Sequence, residues 1–96
     1  MKSKYQIKAS KRYRRDVKRL IKSGVDLKPL EDIIDILAAG KTLALKHKDH
    51  ALKGEYTGVR ECHISPDWLL LYVKDNDELF LLLIGTGNHR QALGIE

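Results

Sequence analysis

Cysteine is all but missing from this chain. Cys62 is the only one in 96 residues, which excludes an intramolecular disulfide framework and fits a reducing compartment, the cytoplasm by default. Long apolar runs are missing too. The longest, 79–84, has the length of a strand, far below the roughly 18–20 residues of a membrane span. No apolar segment follows the basic N-terminus, so it does not read as a secretory signal. With two prolines, seven glycines and no repeat or low-complexity tract, nothing divides the chain. Residues 1–96 are expected to form one domain with a modest core.

Acids are scarce at one end. The first 23 positions hold ten of the 18 basic residues and a single acid, Asp16. The net charge is +5 and the isoelectric point lies near 9.4. A basic block of this kind creates a local positive field that draws in polyanions. Contact with nucleic acid or the ribosome is the expectation from charge, against the plainer one of a solvated helix face.

What the chain does have is concentrated in residues 47–68. That stretch holds three of the four histidines, the only cysteine and the only tryptophan, together with Asp49 and Asp67. The fourth histidine, His89, stands in a Gly-Thr-Gly-Asn-His turn near the C-terminus. Around them the elements follow from periodicity. Tyr5 to Ala9 alternates as a short strand. Ser10 caps a helix from Lys11 to about Ser23, with Tyr13, Val17, Leu20 and Ile21 as its apolar stripe and Gly24 closing it. Asp26 opens a second helix with Pro29 in its first turn; Leu30, Ile33, Ile34 and Leu37 face inward and Gly40 ends it. Residues 41–58 show no sustained period and are expected to be a mainly irregular, functional loop. Val59–Ser65, Trp68–Lys74 and Glu78–Ile84 then read as three strands, the last apolar on both faces and therefore central. The order βααβββ is α+β: two N-terminal helices on one face of a small, mostly antiparallel twisted sheet.

If Pro66-Asp67 is a two-residue hairpin loop, Ser65 pairs with Trp68 and His63 with Leu70. Alternation then puts Glu61, His63 and Ser65 on one open face with Trp68, Leu70 and Tyr72. Arg60, Cys62, Ile64, Leu69, Leu71 and Val73 take the face under the helices. The open face suits RNA cleavage. Indole and phenol rings stack on bases, and imidazoles move protons near neutral pH. Scission without a metal needs a base for the ribose 2′-OH, an acid for the leaving 5′-oxygen, and cations around the phosphate. His50, His63, His89 and Asp67 are the candidate acids and bases; Lys46, Lys48, Lys53, Arg60 and Arg90 are the candidate cations. Trp68 and Tyr72 fit core packing as well. Cys62, on the apolar face, reads as inert packing. His47, His50, Cys62 and His63 match no familiar zinc spacing, so no metal is expected. The Gly85-Thr86-Gly87 turn lacks the pattern of a phosphate loop.

Three ordered motifs carry a resemblance. Lys48-Asp49-His50-Ala51-Leu52-Lys53-Gly54, Arg60-Glu61-Cys62-His63-Ile64 and Pro66-Asp67-Trp68-Leu69-Leu70-Leu71-Tyr72, closed by Gly85-Thr86-Gly87-Asn88-His89, resemble the YafQ branch of the RelE/ParE toxin superfamily over nearly the whole chain. The resemblance implies a RelE-like fold and the toxin half of a toxin–antitoxin pair. It implies a ribosome-dependent endoribonuclease that cuts mRNA in the 30S A site, without metal or organic cofactor. It also implies an acidic antitoxin as partner, and makes the basic N-terminal helix a contact for rRNA or that antitoxin. His50, His63, Asp67 and His89 would carry proton transfer, His50 and His89 as the acid–base pair. Trp68 would lie in the substrate site, with Arg60, Arg90, Lys48, Lys53 and Tyr72 as further substrate contacts. The gyrase-poisoning branch lacks this histidine set. One position departs from the pattern: relatives place an arginine four residues before the last histidine, and this chain has Gly85. Leu93 stands in for a C-terminal aromatic. The alternative is therefore a catalytically weak or inactive toxin-fold protein that binds ribosomes, RNA or antitoxin, in which an arginine restored at Gly85 recovers activity.

Overall fold

Strand β1 (Gln6–Ala9) runs into Ser10, which turns the chain into helix α1 (Lys11–Lys22). The Ser10 hydroxyl accepts from the Tyr13 N–H at 3.0 Å, satisfying one of the orphan donors of the first turn. Gly24, at φ +79°, ends the helix as expected. Helix α2 (Lys28–Ala38) has Pro29 in its first turn, and the Asp26 carboxylate accepts from the Lys28 N–H at 3.0 Å. In this computed structural model, which describes residues 3–93 except the side chain at 93, the remaining elements are β2 (His50–Ala51), β3 (Arg60–Ser65), β4 (Trp68–Asp75), β5 (Phe80–Gly87) and α3 (His89–Leu93).

The strands form one sheet in the order β1-β5-β4-β3-β2. β1 runs parallel to β5, and every other pairing is antiparallel. The α+β architecture matches the expected order with two additions, β2 and α3. The stretch 41–58 is still mainly irregular, as expected, apart from a few short pieces. Two short 3-10 turns, Leu45–His47 and Gly54–Tyr56, flank β2, which lies on the edge of β3. Two residues are too few for alternation to show in sequence. The Leu93 side chain lies outside the described residues. None of the described helices is long and apolar enough to cross a membrane.

Leu30, Ile33, Ile34 and Leu37 of α2 are buried against Tyr5, Tyr13, Cys62, Leu70, Tyr72, Leu81 and Leu83. This is the main core, between the helices and the sheet. A smaller cluster of Leu69, Leu71 and Ala92, backed by Leu52, Val59 and Ile84, covers the opposite face.

The apolar stripe expected on α1 needs correction. Tyr13 is buried, but Ile21 is 57% exposed and Asp16 is 1% exposed. The cause lies in the neighbouring strand. β1 pairs with β5 only as far as Ala9 with Leu83, and beyond that point the backbone groups of β5 that face away from β4 have no strand partner. Side chains of α1 and its cap satisfy them instead. The Ser10 hydroxyl donates to the Ile84 carbonyl at 2.8 Å, Asp16 Oδ2 accepts from the Thr86 N–H at 3.1 Å, and Arg19 Nη2 donates to the Thr86 carbonyl at 3.4 Å. A buried strand edge demands polar partners, and here that demand outranks hydrophobic periodicity.

The hairpin register differs as well. Ser65 pairs with Trp68 as expected, but an irregularity between His63 and Ser65 brings His63 opposite Leu69, not Leu70. One extra residue exchanges the faces of the returning strand. Glu61 and His63 thus share their face with Leu69 and Leu71. Tyr72, 1% exposed, and Leu70 lie with Cys62 under the helices, and Trp68 packs against the same cluster. The open face shared by His63, Trp68 and Tyr72 does not exist.

Asp16→Ala should lower stability by roughly 3 kcal/mol, because it leaves the Thr86 N–H without its acceptor and two arginines without their counter-ion. Asp16→Asn, which keeps an acceptor, should cost less. Chemical denaturation of the two variants measures the difference.

Candidate active site

β2 pairs with β3 so that His50 lies directly across from Glu61, and His63 follows two residues along the same face. Both imidazoles converge on one carboxylate oxygen. His50 Nε2 is 3.7 Å and His63 Nε2 3.6 Å from Glu61 Oε1. The Glu61 side chain is 7% exposed and that of His50 50%, so the carboxylate is a buried hub with an open side.

Two histidine Nδ1 atoms are held by backbone carbonyls. His50 Nδ1 lies 2.5 Å from the Lys48 carbonyl and His47 Nδ1 2.7 Å from the His63 carbonyl. A carbonyl only accepts, so each Nδ1 carries the proton and donates, and each neutral ring keeps its lone pair on Nε2.

β5 brings the third histidine. Gly87 has φ +147°, and a Cβ there would lie 2.7 Å from Gln91 Oε1, so the turn into α3 requires glycine. Asn88 Oδ1 accepts from the Gln91 N–H at 2.8 Å and Gln91 Oε1 accepts from the Asn88 N–H at 3.0 Å. This reciprocal capping box fixes the start of α3, where His89 is the first residue. The His89 and His63 rings meet edge to face, with centroids 5.8 Å apart. Donor atoms of Glu61, His63 and His89 all lie within 4.8 Å of one another. Two imidazoles and a carboxylate suit a transition-metal ion as well as proton transfer. The metal grouping considered from sequence is broken up, since Cys62 faces the helices.

Of the four residues expected to move protons, His50, His63 and His89 gather around Glu61. Asp67 is exposed in the β3–β4 turn and lies elsewhere. It lines a cleft of about 230 Å³ with Leu20, Val25, Trp68, Gly87, Asn88 and Gln91. The Trp68 indole N–H donates to Thr86 Oγ1 at 2.9 Å, leaving the ring half-buried at that cleft. A larger cleft of about 430 Å³ runs beside His63 between Lys46, His47, Lys48, Ile64, Ser65 and Pro66. Lys48, Lys53 and Arg90 are exposed.

Arg60 and Tyr72 belong to a different arrangement from the one expected. Asp49 Oδ1 accepts from the Tyr72 hydroxyl at 2.6 Å and from Arg60 Nε at 3.2 Å. This trio ties the start of β2 to the core side of the sheet. Burial, and then the Asp49 carboxylate, push the Tyr72 hydroxyl well above its ordinary range. With its ring in the core, Tyr72 cannot stack on a base. Burial likewise pushes the Cys62 thiol up to about 12, with the Asp49 and Glu61 charges adding to it. That thiol is packing, as expected.

Glu61 is the candidate site residue that motif reading passed over. Its alternation with His63 along β3 was visible, but its meeting with His50 depends on the hidden strand β2.

The architecture has solved counterparts. A metal-bound toxin from Helicobacter pylori superposes with a TM-score of 0.84 at 42% identity, over 91% of this chain and 97% of that one. In the Escherichia coli DinJ-YafQ toxin–antitoxin complex, the matching chain gives 0.81 at 32% identity, over 90% and 93%. The fold is that of the RelE-like toxins. Residues 5–94 match the profile of the bacterial toxin of type II toxin–antitoxin systems, YafQ. The mRNA interferase toxin YafQ of Escherichia coli strain K12 is 38% identical over 90 residues, 92% of this chain and 95% of that protein. The chain belongs to the YafQ toxin family.

The raised thiol of Cys62 makes a pH prediction. Its contribution to stability is complete below the unfolded value of 9.0 and is lost as pH rises from there through about 12. The slope is about 1.4 kcal/mol per pH unit. Tyr13, pushed from 10.0 to about 12 chiefly by burial, joins at higher pH. Urea unfolding between about pH 8 and 11 should therefore show falling stability. Cys62→Ala should flatten the early part of that fall, and the native thiol should resist alkylation until the protein unfolds.

Proposed function

We propose that this chain is an endoribonuclease, the toxin of a type II pair, which cuts mRNA in the 30S A site by metal-independent acid–base chemistry in the cytoplasm. The observation that carries this reading is the convergence of three histidines on a single buried carboxylate. RNA supplies its own nucleophile, so the protein needs only to move two protons and hold the phosphate. His50 Nε2 is oriented as the base. It takes the proton of the ribose 2′-OH as that oxygen bonds to phosphorus, and the resulting imidazolium stands 3.7 Å from Glu61. His89, protonated, gives its proton to the 5′-oxygen as the P–O bond breaks. The products are a 2′,3′-cyclic phosphate and a 5′-hydroxyl. His63, against both Glu61 and the His89 ring, holds the pair in register.

The surroundings support an RNA substrate on the ribosome. Lys48, Lys53 and Arg90 stand exposed near the histidines, and Trp68 and Asp67 line the adjoining cleft. Lys11, Arg14, Arg15, Lys18 and Lys22 cover the outer side of α1, a surface for rRNA or for an acidic antitoxin. The DinJ-YafQ complex shows a relative bound to an antitoxin. The second reading, a toxin-fold protein that binds without cutting, is favoured by Gly85 alone.

His50→Ala and His89→Ala should each reduce cleavage of ribosome-bound mRNA by roughly 100-fold or more while circular dichroism stays that of the wild type. Retention of full toxicity by both would sink the proposal. Chelators should leave the rate unchanged. Excess zinc should suppress it, because the ion competes for the lone pairs of Glu61, His63 and His89.

A further inference from the structure

Gly85 has no positive φ, so its backbone would accept any residue. A side chain there would instead crowd its neighbours. A Cβ at Gly85 would lie 3.1 Å from Arg12 Nε, 3.1 Å from Asp16 Oδ2 and 3.2 Å from Arg12 Cζ. Neither neighbour is loose. Arg12 Nη2 donates to the carbonyls of Gln91, at 3.2 Å, and Ala92, in the last turn of α3. Its Nε faces Asp16 Oδ2 at 3.9 Å. A guanidinium on the terminal carbonyls of a helix satisfies orphan acceptors and complements the helix dipole. Asp16 in turn holds the Thr86 N–H and Arg19, at 3.1 Å each. One run of charge-assisted hydrogen bonds, joined by the Arg12–Asp16 ion pair, therefore grips the chain on both sides of His89, at Thr86 before it and at Gln91 and Ala92 after it.

We propose that Arg12 and Asp16 are positioning residues for His89, and that Gly85 is the seat that admits them. The missing side chain is then a requirement of this active site, and its absence removes no catalytic group. This rests on the catalytic reading of His89 given above. Neither Arg12 nor Asp16 touches the reacting atoms. Together they set where the His89 ring stands against His63. An arginine at 85 would press a third guanidinium against Arg12 and Arg19, with one carboxylate among them, and lever Arg12 off α3.

The test measures kcat and KM on ribosome-bound mRNA, with amide hydrogen exchange on the full chain, for Gly85→Arg, Gly85→Ala, Arg12→Ala, Arg12→Lys and the pair Gly85→Arg with Arg12→Ala. Gly85→Arg and Arg12→Ala should each lower kcat roughly tenfold or more with KM unchanged, since a small misplacement of a proton donor is costly. Arg12→Lys should recover part of that loss, and the double variant should be no worse than Gly85→Arg alone. The Ala92 amide, which donates to the Asn88 carbonyl at 2.8 Å, should exchange faster in both single variants while β3 and β4 keep their protection. Gly85→Ala carries the same test in milder form if Gly85→Arg fails to fold. A rise in kcat for Gly85→Arg, or unchanged exchange at Ala92 and Thr86, would overturn the proposal. Should the wild type not cleave at all, the endoribonuclease reading fails, and the exchange data still decide whether Arg12 and Gly85 hold α3.

Discussion

A buried carboxylate on the first helix holds this fold together. Asp16 is enclosed almost completely, and it meets the backbone of β5 where strand pairing with β1 has run out. A charge in that position is tolerable only because Arg12 and Arg19 flank it and because it receives a backbone N–H. The arrangement solves two problems at once. It closes the unpaired edge of β5 without another strand, and it welds the most basic helix to the strand that leads into His89. The positive character of α1 is thus partly architectural: Arg12 and Arg19 face inward toward Asp16 while the lysines face solvent.

Element types were legible in the sequence where burial follows a simple period. α2 shows it best, with Leu30, Ile33, Ile34 and Leu37 all in the core. The ends of α1 were legible too, because Ser10 and Gly24 have local reasons for their places. What stayed hidden depends on contacts between distant segments. Asp16 looked like one more charge on a charged helix, and only the bare edge of β5 explains its burial. The irregularity after His63 has no mark in the motif around it, yet it moves Tyr72 and Trp68 to the other side of the sheet. β2 is too short to announce itself, and α3 is held by a capping box and by Arg12 more than by its own propensity.

The candidate site divides in the same way. Its histidines were identifiable as residue types, and resemblance to a family named them. Their assembly was not identifiable, because Glu61 joins His50 only across β2 and β3, and His89 arrives from another part of the chain. Asp67 and Trp68, adjacent to the motif in sequence, belong to a neighbouring cleft. Arg60 and Tyr72 anchor the loop through Asp49 and do not line the site. One short string of residues is thus divided among three places: the histidine–carboxylate cluster, the neighbouring cleft and the structural anchor at Asp49.

The parallel pairing of β1 with β5 joins the beginning of the chain to its last strand, and α3 follows immediately. β1 therefore has no partner until β5 is in place, and His89, two residues beyond β5, reaches Glu61 and His63 only through that same strand. Contacts of such wide sequence separation carry a large loop-closure cost in folding. Closure of the sheet and assembly of the candidate site thus depend on one long-range pairing.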